Sequence, residues 1–115
     1  MRDDYDPDAA RAARDEAIEQ VDAHAEQVWK AAALDVVHEI AQHRDYFTTD
    51  AVWWVLDQRD VDPPHEERAL GAIMRRAQSQ GWIEITDRTR KSVRRRCHAR
   101  DLRVWKSLVR EVTHA

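Results

Sequence analysis

The sequence predicts a mainly α-helical domain that closes with a small β-hairpin. Three observations carry this expectation. Residues 8–44 contain neither Gly nor Pro and are rich in Ala, Glu and other good helix formers. Two shorter stretches with helical apolar spacing follow, one opened by Thr48 and one stopped by Gly81. After Gly81 the apolar spacing changes from three or four residues to two.

Asp6 is a good N-cap and Pro7 suits a first helical position, so the first helix starts there. Its strongest stripe is Trp29, Ala33, Val36 and Ile40, which reads as core-facing. The earlier set Ala13, Ala17, Val21 and Val28 is weaker, because alanines bury little area. One helix over residues 8–44 spans roughly 55 Å at ~1.5 Å per residue. A helix broken near residues 24–27 fits the same pattern. In both cases the first residues project from the domain or pack on a second copy.

Thr48 reads as the N-cap of a second helix ending near Gln58, with Asp50 in the first turn and Phe47 and Val52 as a hydrophobic staple. Asp60-Val61-Asp62-Pro63-Pro64 is a connector. A third helix is expected over residues 66–80. Leu70, Ile73, Met74 and Ala77 share one side of its wheel, and Arg68, Ala72, Arg75 and Ser79 the other, with Arg76 beside them. Residues 82–86 and 102–106 alternate as two strands, joined by a long polar loop over 87–101. The tail after residue 107 reads as a short helix or an extended end.

Length and composition narrow the class. A chain of 115 residues makes one modest core. It is 36% charged, with a mean hydropathy of −0.80. No window is apolar enough for a membrane span, and the acidic start MRDDYDPDAA has no apolar stretch of a secretory signal. The single Cys97 fits a reducing compartment. The expectation is a soluble cytoplasmic protein.

Charge is distributed unevenly. Residues 1–62 carry 16 Asp/Glu against 6 Lys/Arg, and residues 63–115 carry 13 Lys/Arg against 6 Asp/Glu. Arg88, Arg90, Lys91, Arg94, Arg95, Arg96, Arg100 and Arg103 crowd one segment opposed only by Asp101. A whole-chain charge of −3 hides a local polycation that suits a polyanion.

Three helices followed by a hairpin is the winged helix-turn-helix order, here preceded by a long N-terminal helical extension. In that architecture the third helix enters the major groove and the hairpin loop, or wing, reaches the neighbouring backbone. The basic groups fall on those two elements. The pieces F-T-T-D-A-V-W, P-H-E-E-R-A-L-G-A-I-M-R-R-A, G-W-I, C-H-A-R and R-V-W-K-S-L, spread over residues 47–108, resemble winged-helix DNA-binding proteins of actinobacteriophages and their hosts. The resemblance implies a winged helix and double-stranded DNA binding, with no defined operator. The expected organisation is an acidic Ala-rich helical extension over 1–25, a winged-helix domain over 26–108 and a short tail over 109–115.

The expected DNA ligands are Arg68, Arg75, Arg76 and Ser79 on the third helix and Arg88, Arg90, Lys91, Arg94, Arg95, Arg96 and Arg100 on the wing. His65 and the Thr48–Thr49 turn stand at helix ends. The plainer reading of the wing is a solvated loop or one folded onto the acidic half, and that of the two threonines is capping alone. Trp29, Trp53, Trp54, Trp82 and Trp105 read as core and core edge, with Trp54 exposed, rather than as a platform for single strands. Cys97-His98 lacks the paired spacing of a zinc site, and no catalytic motif appears, so no metal, cofactor or enzymatic activity is expected. The acidic helix dimerises, shields the wing or stays solvated. The expected function is duplex DNA binding in transcription control or phage DNA metabolism. The rival is a winged-helix module that docks a host or replication protein.

Overall fold

The computed structural model describes residues 7–64, 66–95 and 99–111, with side chains from residue 23 onward. Among these residues the order is α1 (Pro7–His43), β1 (Tyr46–Phe47), α2 (Thr49–Gln58), α3 (Ala69–Ser79), β2 (Ile83–Lys91) and β3 (Asp101–Ser107). The result is a mixed α/β domain of three helices and one antiparallel sheet ordered β1-β3-β2.

α1 is unbroken across residues 24–27. Its carboxy-terminal half buries Trp29, Ala33, Val36, Val37, Ile40 and Ala41 against the other elements. The stripe is therefore wider than the four residues the spacing picked out, because α1 packs on both α2 and α3. α2 contributes Val52 and Leu56 to the same core, α3 contributes Leu70, Ile73, Met74 and Ala77, and the sheet contributes Phe47, Ile83 and Trp105. Each large apolar side chain buried this completely contributes about 1.5–3 kcal/mol.

The sheet differs from the expected two-stranded hairpin. β1 adds a third strand, pairing Tyr46 with Lys106 and Phe47 with Trp105. Two residues carry no period, so nothing in the sequence marked it. β2 also runs on to Lys91, which moves Arg88, Arg90 and Lys91 from the expected loop onto a strand. The β2–β3 register shifts between Ile85 and Thr89. There the Thr86 hydroxyl donates to the Val104 carbonyl at 2.7 Å and accepts the Arg88 amide at 3.2 Å. The third helix begins at Ala69, three residues later than expected. Arg68 offers no side-chain cap, and the amides of Ala69, Leu70 and Gly71 bond three residues back to Glu66, Glu67 and Arg68. Past β3 the chain bends at Leu108 and Val109 and continues without helix to Glu111, whose amide donates to the Gln42 carbonyl at 3.0 Å.

α2 and α3 end in the same motif. Past α3, Trp82 N–H donates to the Ala77 carbonyl and Gly81 N–H to that of Gln78, with Gly81 at φ 79°. Past α2, Val61 N–H donates to Leu56 and Asp60 N–H to Asp57, with Asp60 at φ 53°. The left-handed residue is glycine in one case and aspartate in the other. A side chain there costs about 1 kcal/mol, so Asp60→Gly is expected to raise stability by about that amount in urea unfolding.

Candidate nucleic-acid interface

The α3 wheel is realised: its apolar side is buried, and Arg68, Ala72, Arg75, Arg76, Gln78 and Ser79 are exposed on the other. The Arg75 guanidinium lies back along its own helix beside Gly71, where a Cβ would stand 3.6 Å from Nη1. Among the described residues none of the three arginines forms an ion pair. The face is an exposed cationic surface on a short helix.

The described start of the β2–β3 loop, residues 92–94, is tied to α2 and to the turn before α3, while Arg95, Ala99 and Arg100 stay exposed. The Asp50 carboxylate, in the first turn of α2, accepts the Ser92 hydroxyl through Oδ1 and the Val93 amide through Oδ2, both at 2.8 Å. The Ser92 hydroxyl in turn accepts the Arg94 amide at 3.2 Å, and the Ser92 amide closes the loop base on the Arg100 carbonyl at 2.8 Å. The Arg94 guanidinium lies 4.8 Å from the centre of the Trp53 ring and bonds Glu67 at 3.1 Å. Trp53 rests on Trp29 of α1 at 6.0 Å between centroids. The loop is thereby tied to α2 and, through the paired indoles, to α1, and its side branch to Glu67 brings it to the turn that opens α3.

This arrangement sorts the expected ligands. Arg95 and Arg100 are exposed loop cations with no ion pair among the described residues. Arg94 is largely covered, its side chain 23% exposed, and acts as a clamp. Lys91 pairs across the strands with Asp101 at 3.2 Å, Arg88 lies over Tyr46 at 5.2 Å, and Arg103 donates to the Thr86 carbonyl at 3.2 Å. Arg90 is exposed and unpaired among the described residues, facing a cleft between α1 and α2. The Thr48 hydroxyl is buried and accepts the Asp50 amide at 3.3 Å, which is the capping role, while its carbonyl accepts the Ala51 amide. Thr49 is half-buried. His65, Arg96, Cys97 and His98 lie outside the described residues.

The tryptophans divide as read: Trp29 and Trp105 are buried, Trp53 and Trp82 half-buried, and Trp54 is 65% exposed. Trp82 carries His38 against its ring at 4.3 Å. Sequence reasoning missed Asp50 and Glu67 as anchors of the loop. Their partners are 42 and 27 residues away, beyond any local pattern. Asp50→Ala strands the Val93 amide and the Ser92 hydroxyl. Because the Val93 amide is exposed and water can replace the carboxylate, the change is expected to lower stability by about 1 kcal/mol and to speed hydrogen exchange at Val93 and Arg94 selectively.

No protein-family model matches the chain, and no curated protein and no solved structure matches it. No helix among the described residues is long and apolar enough to cross a membrane.

Proposed function

We infer that this chain is a winged helix-turn-helix protein that binds double-stranded DNA, sequence-specifically or semi-specifically. α3 enters the major groove, and the β2–β3 loop lies on the adjacent backbone as the wing. One observation carries the reading: the Arg94–Glu67 pair draws the basic loop to the turn that opens α3. On this reading Arg95 of the loop and Arg68, Arg75 and Arg76 of α3 meet the same duplex. The α-β-α-α-β-β order and the β1-β3-β2 sheet support it as well. The resemblance of residues 47–108 to phage-borne winged-helix proteins suggests transcription control or phage DNA metabolism, in the cytoplasm, as the setting. A homodimer through α1 belongs to the same reading, with Val28, 54% exposed, on the surface a second copy covers.

The test is fluorescence anisotropy of a labelled random duplex, about 20 base pairs long, over a salt series from about 50 to 300 mM, beside the matching single strand. The duplex is expected to bind more tightly, with a log–log salt slope of several units. Replacing Arg95 and Arg100 with alanine is expected to reduce that slope by about 2, one for each phosphate no longer neutralised. Absence of duplex binding at low salt, or preference for the single strand, rejects the reading.

A further inference from the structure

A cleft of about 430 Å³ opens between the last turn of α1, the first two turns of α2 and the end of β2. Buried Ile40 and Phe47 lie at its base, and half-buried Ala51 and Val55 line it with them. Trp54 and Val93, 65% and 88% exposed, also line it. Two apolar side chains left in water beside a concavity, on a chain that is 36% charged, mark a surface built to be covered.

The charges around the cleft state what covers it. Arg59 is held by Glu39, Lys91 by Asp101, and the Asp50 carboxylate by Ser92 and Val93. Arg44 and Arg90 also line the cleft, and among the described residues neither has an ion-pair partner. Two unpaired guanidinium groups against one carboxylate leave a surplus of one positive charge. A guanidinium presents a planar fork that matches a carboxylate. A DNA backbone would meet the cations and leave the apolar lining wet. The volume suits a ring system and falls at the small end of ligand pockets.

We propose that this cleft binds a small monoanion with a flat apolar body and one carboxylate group. The body packs against Trp54, Val55 and Val93, and the carboxylate meets Arg44 and Arg90. The cleft shares Arg90 and Val93 with the wing, but Arg44, Trp54 and Val55 have no part in duplex binding, so the two readings can fail separately. Because Val93 both lines the cleft and donates its amide to Asp50, an occupant also holds the loop against α2.

The experiment is calorimetric titration of the full chain with 2-naphthoate, with neutral 2-naphthamide and with acetate. Naphthoate is expected to bind about tenfold more tightly than naphthamide, the worth of a charged hydrogen bond, and acetate not measurably. The exposed pair Arg44→Gln with Arg90→Gln is expected to melt like the parent and to bring naphthoate down to the naphthamide level. In nitrogen-15 spectra the indole resonance that disappears in Trp54→Phe is expected to shift with naphthoate, while the Val93 amide exchanges more slowly. Equal affinity for naphthoate and naphthamide overturns the proposal. So do unchanged binding by the double variant, shifts confined to other indoles, and no binding at millimolar ligand.

Discussion

Replacing Arg75 and Arg76 together with glutamate is expected to lower affinity for a random duplex by about a hundredfold or more near 0.1 M salt. At a slope near 0.9 per phosphate, each neutralised phosphate is worth about eightfold in affinity at that salt, so two of them account for roughly sixtyfold. Reversal adds repulsion between the new carboxylates and the backbone. Both side chains are exposed and have no ion pair among the described residues, and the fold's stake is limited to Arg76, whose charge in the last turn of α3 favours the helix dipole. Circular dichroism is expected to match the parent and the melting temperature to fall by a few degrees at most, the cost of about 1 kcal/mol for an anion at the helix end. A binding loss under about threefold in a folded variant places α3 away from the DNA and removes the major-groove assignment. Changing Arg75 alone to alanine separates base readout from phosphate binding. A larger loss on a selected site than on random duplex indicates base readout, and equal losses indicate phosphate only.

Phe47→Ala is expected to cost about 3–5 kcal/mol of folding stability, a large share of the total of a domain this size. The ring is 1% exposed and belongs to two elements at once. Its backbone pairs with Trp105 in β3, and its position just before the Thr48 cap fixes how α2 leaves the sheet. Its loss opens a cavity in the core that the helices and the sheet share. Urea unfolding followed by tryptophan fluorescence checks this, with an unchanged m-value as the sign that the denatured state is the same. A loss under about 1 kcal/mol means that the surroundings close over the gap and that the junction is softer than its burial implies.

How much of this was legible follows from the range of each interaction. The α1 stripe, the α2 cap at Thr48 and the two faces of α3 are local, fixed by residues within one or two turns, and periodicity displays them. The strand after Gly81 is local as well. β1 is invisible because Tyr46 and Phe47 become a strand only when β3 arrives from more than fifty positions further along, as the pairing of Phe47 with Trp105 shows. The start of α3 was misjudged because the chain turns through Glu66, Glu67 and Arg68 without the side-chain cap that marks most helix starts. The charged segment was the least transparent part. Composition shows how many arginines it holds, but not which of them are already engaged. Arg94 has the residue type of a phosphate ligand and in the fold is a clamp on Trp53 and Glu67, and Lys91 is neutralised by Asp101 across two strands. Asp50, read as a helix-end charge, is also the residue that fixes where the loop goes.

α1 runs from Pro7 to His43 with no glycine and no later proline to act as a hinge. Its portion ahead of Trp29 is a strut of about 33 Å at ~1.5 Å per residue. A strut differs from a tether in having an angular setting as well as a length. Each residue inserted near Ala25 lengthens it only slightly but turns the far end by ~100°, so two added residues point the amino-terminal turns nearly backwards and four restore their bearing within about one ninth of a turn. Whatever meets that end is held in phase with the sheet and α3, and the molecule transmits direction along its longest element.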